Sequence, residues 1–286
     1  MPMTVAGALK WGREKLKSAG IDELSAEQLL QFVLKFSKVQ ISLNPEFELD
    51  SNQEIEYKRL ISEREKHFPL QYLIGRTEFY NIELIIDKRA LIPRPETEFL
   101  VETVISKCKD RGNLSILDIG TGSGNIAIAV AKNLAAAKVT GVDISGDALR
   151  LAETNARINR VESRLKLLQG DIFDEKFMGS LGKFDCVVSN PPYVADSDRP
   201  SLQLEIVEYE PGLAVFAGDD PLRFFKTIVG SISYILMPGG ILAFEVGFGQ
   251  AGEVEALMRN RFIDIEITKD LAGIERVITG VYAGID

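Results

Sequence analysis

The chain has 286 residues, 45% of them hydrophobic, with a formal net charge of −9. This balance fits one large or two smaller globular domains and excludes a broad basic face for non-specific DNA binding, although a local basic patch stays open. No apolar run reaches membrane-spanning length, Met1-Pro2-Met3-Thr4 lacks a signal-peptide pattern, and Cys108 and Cys186 are too few for a disulfide framework or a zinc site.

Residues 1–75 read as all-helical. Thr4 caps a first helix carrying Val5, Ala8, Leu9 and Leu16 and ending near Gly20. Ser25 with Gln28, and Ser51 with Glu54, have capping-box spacing ahead of apolar runs. Lys10, Arg13, Lys15 and Lys17 form a basic face that is ordinarily only solvated. His67, the single histidine, lies in a charged stretch away from any nucleophile, which removes Ser-His-Asp and Cys-His chemistry. Residues 76–95 read as a hairpin and linker. Phe79–Asp87 alternates as a strand or hairpin, and Leu91-Ile92-Pro93-Arg94-Pro95-Glu96-Thr97-Glu98 is stiffened by two prolines before a helix over 97–108.

From residue 96 to 286 the pattern becomes strand–helix alternation. Strands are expected at 115–119, 138–143, 165–169, 184–189, 240–246, 263–268 and 276–282. Helices are expected at 125–133, 145–158, 221–236 and 250–261. The fold class is therefore α/β, a doubly wound and mostly parallel sheet of seven strands with a small helical N-terminal domain.

In such a sheet, ligands bind outside the carboxyl ends of the strands. Four polar features fall there. Gly120-Thr121-Gly122-Ser123-Gly124 is a glycine turn that lets a ligand approach the backbone. Its spacing is G-x-G-x-G, since Asn occupies position 125, which disfavours a dinucleotide and with it a nicotinamide oxidoreductase. Asp143 ends the next strand, where a carboxylate either accepts both ribose hydroxyls or caps the following helix, a role open to Ser145. Asp171 and Ile172 form either a plain turn or an acceptor and an apolar wall for adenine. Asn190-Pro191-Pro192-Tyr193 is a stiff corner carrying an amide, free carbonyls and a ring, suited to holding a flat –NH2 group or simply to ending a strand.

In this order the four features resemble the class I S-adenosylmethionine-dependent methyltransferases that act on amino groups. Pro69-Leu70-Gln71-Tyr72-Leu73-Ile74-Gly75, the Pro-Arg-Pro-Glu-Thr-Glu segment, Glu210-Pro211 and Asp270-Leu271-Ala272-Gly273 resemble one family within them, the peptide chain release factor glutamine methyltransferases. The chain departs from that family's pattern at Pro221, where a glycine is expected.

The resemblance implies S-adenosylmethionine as cofactor, release factors as protein partners, and methylation of the side-chain amide nitrogen of the glutamine in a Gly-Gly-Gln loop. Gly120, Thr121, Gly122, Ser123 and Gly124 would line the methionine and ribose, Asp143 the ribose, and Asp171 with Ile172 the adenine, with Asn190 also counted among the cofactor contacts. Asn190 Oδ1 and a carbonyl of the Pro191-Pro192 corner would accept the two amide hydrogens, with Tyr193 packed on the amide plane. The N-terminal helices would grip the release factor away from the reactive loop. A cytoplasmic monomer without metal, membrane or nucleic acid is the accompanying expectation. The rivals are a DNA or RNA adenine N6-methyltransferase, which needs a basic groove, and a catalytically silent binding module, which predicts decayed cofactor motifs.

Overall fold

The computed structural model describes residues 2–284. In chain order the helices are α1 (Val5–Ser18), α2 (Leu24–Leu34), α3 (Lys38–Leu43), α4 (Ser51–Glu65), α5 (Leu70–Ile74), α6 (Thr97–Cys108), α7 (Asn125–Asn133), α8 (Gly146–Ile158), α9 (Glu175–Ser180), α10 (Leu204–Tyr209), α11 (Arg223–Gly230), α12 (Ile232–Ile235) and α13 (Ala251–Met258). The strands are β1 (Arg76–Phe79), β2 (Ile82–Ile85), β3 (Ser115–Ile119), β4 (Lys138–Asp143), β5 (Leu165–Gln169), β6 (Phe184–Ser189), β7 (Val194–Ala195), β8 (Phe216–Gly218), β9 (Leu236–Glu245), β10 (Phe262–Lys269) and β11 (Glu275–Tyr282). They form two compact units. One comprises the chain up to Arg76 together with Gln203–Tyr209, and the other holds the rest.

The helical unit is built around Tyr57, whose ring is fully buried among Leu16, Leu29, Leu30 and Leu60. Its hydroxyl lies 3.2 Å from both Ala8 O and Ala26 O, so one hydrogen is shared between carbonyls of α1 and α2. Gly12 permits this, because a Cβ there would fall 2.2 Å from the Tyr57 hydroxyl. Thr4 caps α1 as its position predicts, accepting from Gly7 N. The other two caps differ from expectation. Ser25 lies inside α2, buried, with its hydroxyl 3.4 Å from Arg64 Nε. α4 is capped by the Asp50/Gln53 box, one residue ahead of Ser51/Glu54. Asp and Ser are equally good caps, so the pattern alone does not choose between adjacent residues. α10 belongs to this unit although it lies far along the chain. Arg64 Nη2 meets Glu205 Oε1 at 2.7 Å, and the Tyr209 hydroxyl donates to Lys66 O at 2.7 Å.

The second unit carries a seven-stranded sheet in the order β10-β11-β9-β6-β3-β4-β5. β9, β6, β3, β4 and β5 run parallel, and β11 runs antiparallel to both of its neighbours. The inner strands are buried on both faces, as in Ile116–Ile119 and Cys186–Ser189, and read as continuous apolar runs. One face is covered by α6 and α7, where Leu100, Val104, Ile126 and Val130 are buried. The other is covered by α11 to α13 through Phe225, Ile232 and Val254. β3 has β4 on one side and β6 on the other, so strand order reverses there and opens a crevice at the carboxyl ends.

Phe79–Asp87 resolves as the β1–β2 hairpin, turning at Tyr80 and Asn81 with φ of 43° and 60°. The single helix expected over 221–236 divides into α11 and α12, and its end is taken over by β9. Pro221 sits in the turn before α11, where a missing N–H costs nothing. Among the described residues no helix is long and apolar enough to cross a membrane, and no cluster of ligating side chains could hold a metal.

Candidate active site

A cavity of ≈ 370 Å³ opens beyond the carboxyl ends of β3 to β6. Gly120, Thr121, Gly122 and Ser123 line it after β3, and Asp143 after β4. Asp171 and Ile172 line it after β5, and Asn190, Pro191 and Pro192 after β6. Two residues expected in the site are not part of its wall, Gly124 and Tyr193.

The glycine turn has positive φ at Gly120 (73°), Gly122 (54°) and Gly124 (81°). A Cβ on Gly120 would meet nothing within 4 Å, so the space above that backbone is open. Gly124 serves packing instead. A Cβ there would stand 3.0 Å from Ile128 Cδ1 and 3.1 Å from Ala152 Cβ, so the glycine lets α7 and α8 approach. Beneath the turn Asp118 is wholly buried, with Oδ2 accepting from the Thr121 hydroxyl at 2.6 Å. Burial raises its pKa to about 7, against the pull of that hydrogen bond. Asn155 ties the turn to the hairpin, donating to Ser123 O and Ile85 O and accepting from Ile85 N.

The Asp143 carboxylate is held by backbone donors, Gly122 N at 2.8 Å on Oδ2 and Ser145 N at 2.9 Å on Oδ1. Ser145 Oγ, not Asp143, caps α8 through Ala148 N. Burial raises the Asp143 pKa, and the N–H groups of Ser145, Gly122 and Ile144 oppose the rise. A carboxylate has about four lone-pair sites, so acceptor capacity remains toward the cavity. Asp171 Oδ1 accepts from Phe173 N at 2.9 Å, with Ile172 following in the cavity wall. Phe173 and Phe224 extend this wall edge to face at 5.2 Å, with the Arg223 guanidinium 4.2 Å from the Phe173 centroid. Neither ring nor Arg223 stood out in the sequence.

Asn190 is half-buried, and its Nδ2 donates to Thr97 Oγ1 at 3.1 Å. Tyr193 also turns inward, its hydroxyl 3.3 Å from Glu245 Oε1 and its ring against the second core layer. Tyr193 thus braces the corner from behind rather than lining the cavity. Glu245 Oε2 lies buried without a partner. Burial raises the Glu245 pKa from 4.5 to about 7, with Glu96 adding to the rise and Thr97, Tyr193 and Arg276 opposing it. A carboxyl whose folded pKa is raised contributes most to stability below its unfolded value and loses that contribution as pH climbs through the folded one. Glu245→Gln is therefore expected to gain stability relative to the parent between about pH 4.5 and 7, by up to about 3 kcal/mol, in urea unfolding at a series of pH values.

The Pro-Arg-Pro segment meets Glu210-Pro211 at the cavity wall. Arg94 Nη2 lies 2.6 Å from Glu210 Oε1, and Ile92 N donates to Glu210 Oε2 at 3.0 Å. The Glu210 side chain is 1% exposed. Arg94 thus works at the rim, pinning one wall-forming segment to another. Thr97 and Glu245 are the functional candidates the sequence reading passed over. A lone glutamate inside Ile241-Leu242-Ala243-Phe244-Glu245-Val246 was the available signal, because a charge within a buried strand demands partners.

A glycine turn, an acidic second strand end and a reversed final strand set between β9 and β10 define a class I methyltransferase fold. Residues 7–75 match the PrmC N-terminal domain, and residues 95–211 match the methyltransferase small domain. The chain is 38% identical over 270 residues to a release factor glutamine methyltransferase of Thermodesulfovibrio yellowstonii, covering 93% of this chain and 95% of that one. It is 37% identical over 280 residues to the Geobacter sulfurreducens protein of the same name, covering 97% and 96%. A methyltransferase structure from Pyrococcus furiosus shares the fold at a TM-score of 0.52 and 16% identity, covering 82% of this chain and 100% of that one. The chain belongs to the release factor glutamine methyltransferase family.

The cofactor of this class is S-adenosylmethionine, and the residues fit it. Open space lies over Gly120, Ser123 Oγ is buried without a partner, and Asp143 keeps free acceptor capacity.

Proposed function

We propose that this enzyme methylates the side-chain amide nitrogen of the glutamine in the Gly-Gly-Gln loop of peptide chain release factors. The observation that carries this reading is the orientation of Asn190. With Nδ2 bonded to Thr97, Oδ1 is the atom left for the cavity, next to the Pro191-Pro192 corner. Bound S-adenosylmethionine supplies a methyl group on a sulfonium, already a strong donor, so the protein's task is orientation. An amide nitrogen shares its lone pair with its carbonyl and is a poor nucleophile. Asn190 Oδ1 and a prolyl carbonyl accept its two hydrogens, fix its approach and keep electron density on the nitrogen as positive charge develops. Proline carbonyls suit this because the backbone is rigid and no N–H competes. The proton leaves to water.

Gly120 to Ser123 and Asp143 are assigned to the methionine and ribose, and Asp171, Ile172, Phe173 and Phe224 to the adenine. The helical unit is assigned to docking the release factor body. The acidic charge of −9 favours a protein over a nucleic acid as acceptor, and the two free thiols, Cys108 and Cys186, suit the cytoplasm.

The test is incubation of the full chain with methyl-labelled S-adenosylmethionine and either purified release factor or nucleic acid. Label is expected on the release factor, in the peptide bearing Gly-Gly-Gln. Label on adenine, with none on the release factor, overturns the reading.

A further inference from the structure

We propose that Gln250 is a positioning residue for methyl transfer, holding the downstream end of the Pro191-Pro192 corner and with it the prolyl carbonyl offered to the acceptor amide. This deepens the assignment of the corner as the acceptor clamp and rests on it. Pro191 and Pro192 line the cavity and have no N–H, so neither can tie its own backbone down by donating. The corner must be held from its ends. Upstream, Ser189 pairs with Ile119 of β3 and Phe244 of β9, and its hydroxyl donates to Ile119 O at 2.7 Å. Downstream, the peptide unit between Tyr193 and Val194 is pinned on both sides. Its carbonyl, Tyr193 O, accepts from Gln250 Nε2 at 3.0 Å, and its N–H, that of Val194, donates to Val215 O at 3.2 Å. The Asn190 amide has its own anchor in Thr97 Oγ1, so the two acceptors of the clamp are fixed by different elements, α6 and the loop between β9 and α13.

The orientation of the Gln250 amide is set by backbone groups that each have only one role. Gly247 N donates to Oε1 at 3.0 Å, which leaves Nε2 as the end that faces the Tyr193 carbonyl. Gln250 sits at the cap of α13, and its own carbonyl accepts from Glu253 N at 3.1 Å and Val254 N at 3.0 Å. Its side chain is therefore a strut between the start of α13, the end of β9 and the corner. Gly247 makes room for it. A Cβ there would stand 2.7 Å from Gln250 Oε1 and 2.9 Å from Tyr193 Cδ2, so close approach is what requires the glycine. Neither Gly247 nor Gln250 lines the cavity, so any effect of theirs on the reaction passes through the corner.

The experiment uses the full-length protein, release factor and labelled S-adenosylmethionine at about pH 8, where a carboxyl introduced at this position is ionised. Gln250→Glu keeps the size of the side chain and an acceptor for Gly247 N, but its carboxylate has no hydrogen for Tyr193 O. Gln250→Met removes both bonds. Gln250→Glu is expected to lower kcat by about 10- to 100-fold, the range typical of a misplaced reacting group, and Gln250→Met by at least as much. The KM for release factor and the cofactor Kd should stay within about threefold, because the glycine turn and Asp143 share no partner with Gln250. Gly247→Ala should reproduce the loss of kcat with Gln250 in place, by displacing its amide from the corner. A strut serving the loop alone would spare Gln250→Glu and impair only Gln250→Met. If Gln250→Glu keeps kcat within about twofold of the parent while Asn190→Ala is inactive, the clamp stands and the positioning role is wrong. Full activity in Asn190→Ala overturns the clamp itself. Parallel loss of cofactor affinity and rate in Gln250→Glu assigns Gln250 to packing and overturns the proposal.

Discussion

Asn190→Ala is expected to lower methyl transfer by about 10²- to 10³-fold at saturating cofactor, the loss seen when one preorganised polar contact to a reacting group is removed. S-adenosylmethionine binding, measured by calorimetry, should change by no more than about threefold. The separation follows from geometry. The Asn190 side chain is anchored through Nδ2 to Thr97, outside the glycine turn and the Asp143 corner. Removing it leaves Gly122 N, Asp143 and Ser145 N as they are. It also leaves the Thr97 hydroxyl without its donor. Aspartate offers no N–H to Thr97 and adds a charge beside a cationic sulfonium, so it should be no better than alanine as a catalyst. A matching loss of affinity and rate in Asn190→Ala would place this residue mainly in the cofactor site.

Asp143→Ala is expected to do the reverse. Cofactor affinity should fall by about 100-fold or more, roughly 3 kcal/mol, as charge-assisted hydrogen bonds to a carboxylate disappear. The turnover rate at saturation should fall far less. Part of the loss is indirect. Gly122 N and Ser145 N lose their acceptor, and the glycine turn loses the anchor that holds its backbone against β4. Asp143→Asn keeps one acceptor oxygen and should lie between the two. A Kd unchanged in Asp143→Ala would move the ribose elsewhere in the cavity.

The strand ends were legible because each announces itself locally. Gly120 and Gly122 punctuate a strand, Asp143 ends another, and two prolines stop β6 after Asn190. Chemistry carried by contiguous residues at a strand end survives as a motif. The layer behind them did not show. Thr97 was visible only as part of a stiff segment, and Glu245 only as a glutamate in an apolar run, and nothing local says that α6 and β9 place them beside Asn190 and Tyr193. The inward turn of Tyr193 was hidden for the same reason. A ring next to a motif reads as part of the motif, yet the partner that turns it inward, Glu245, comes from a strand that follows only after α10, β8 and α11. Gly124 shows the converse. It belongs to the motif in sequence but answers to Ala152 of α8 in space. Cap positions in the helical unit failed on near-degenerate choices, Asp50 against Ser51.

The discontinuity of the helical unit limits how such a protein can be taken apart. A cut between Arg76 and Thr77 severs the backbone once, yet Gln203–Tyr209 remains on the other fragment. The amino-terminal piece would keep Arg64, 7% exposed at its side chain, without the counter-charge of Glu205, and Phe68 without the ring of Tyr209. An unpaired buried guanidinium is costly, so the two pieces are driven to recombine rather than to part. The same wiring resists modular exchange. Fusing the first 76 residues onto another catalytic body would transplant an incomplete object, because the recipient must also supply a matching helix from the middle of its own chain.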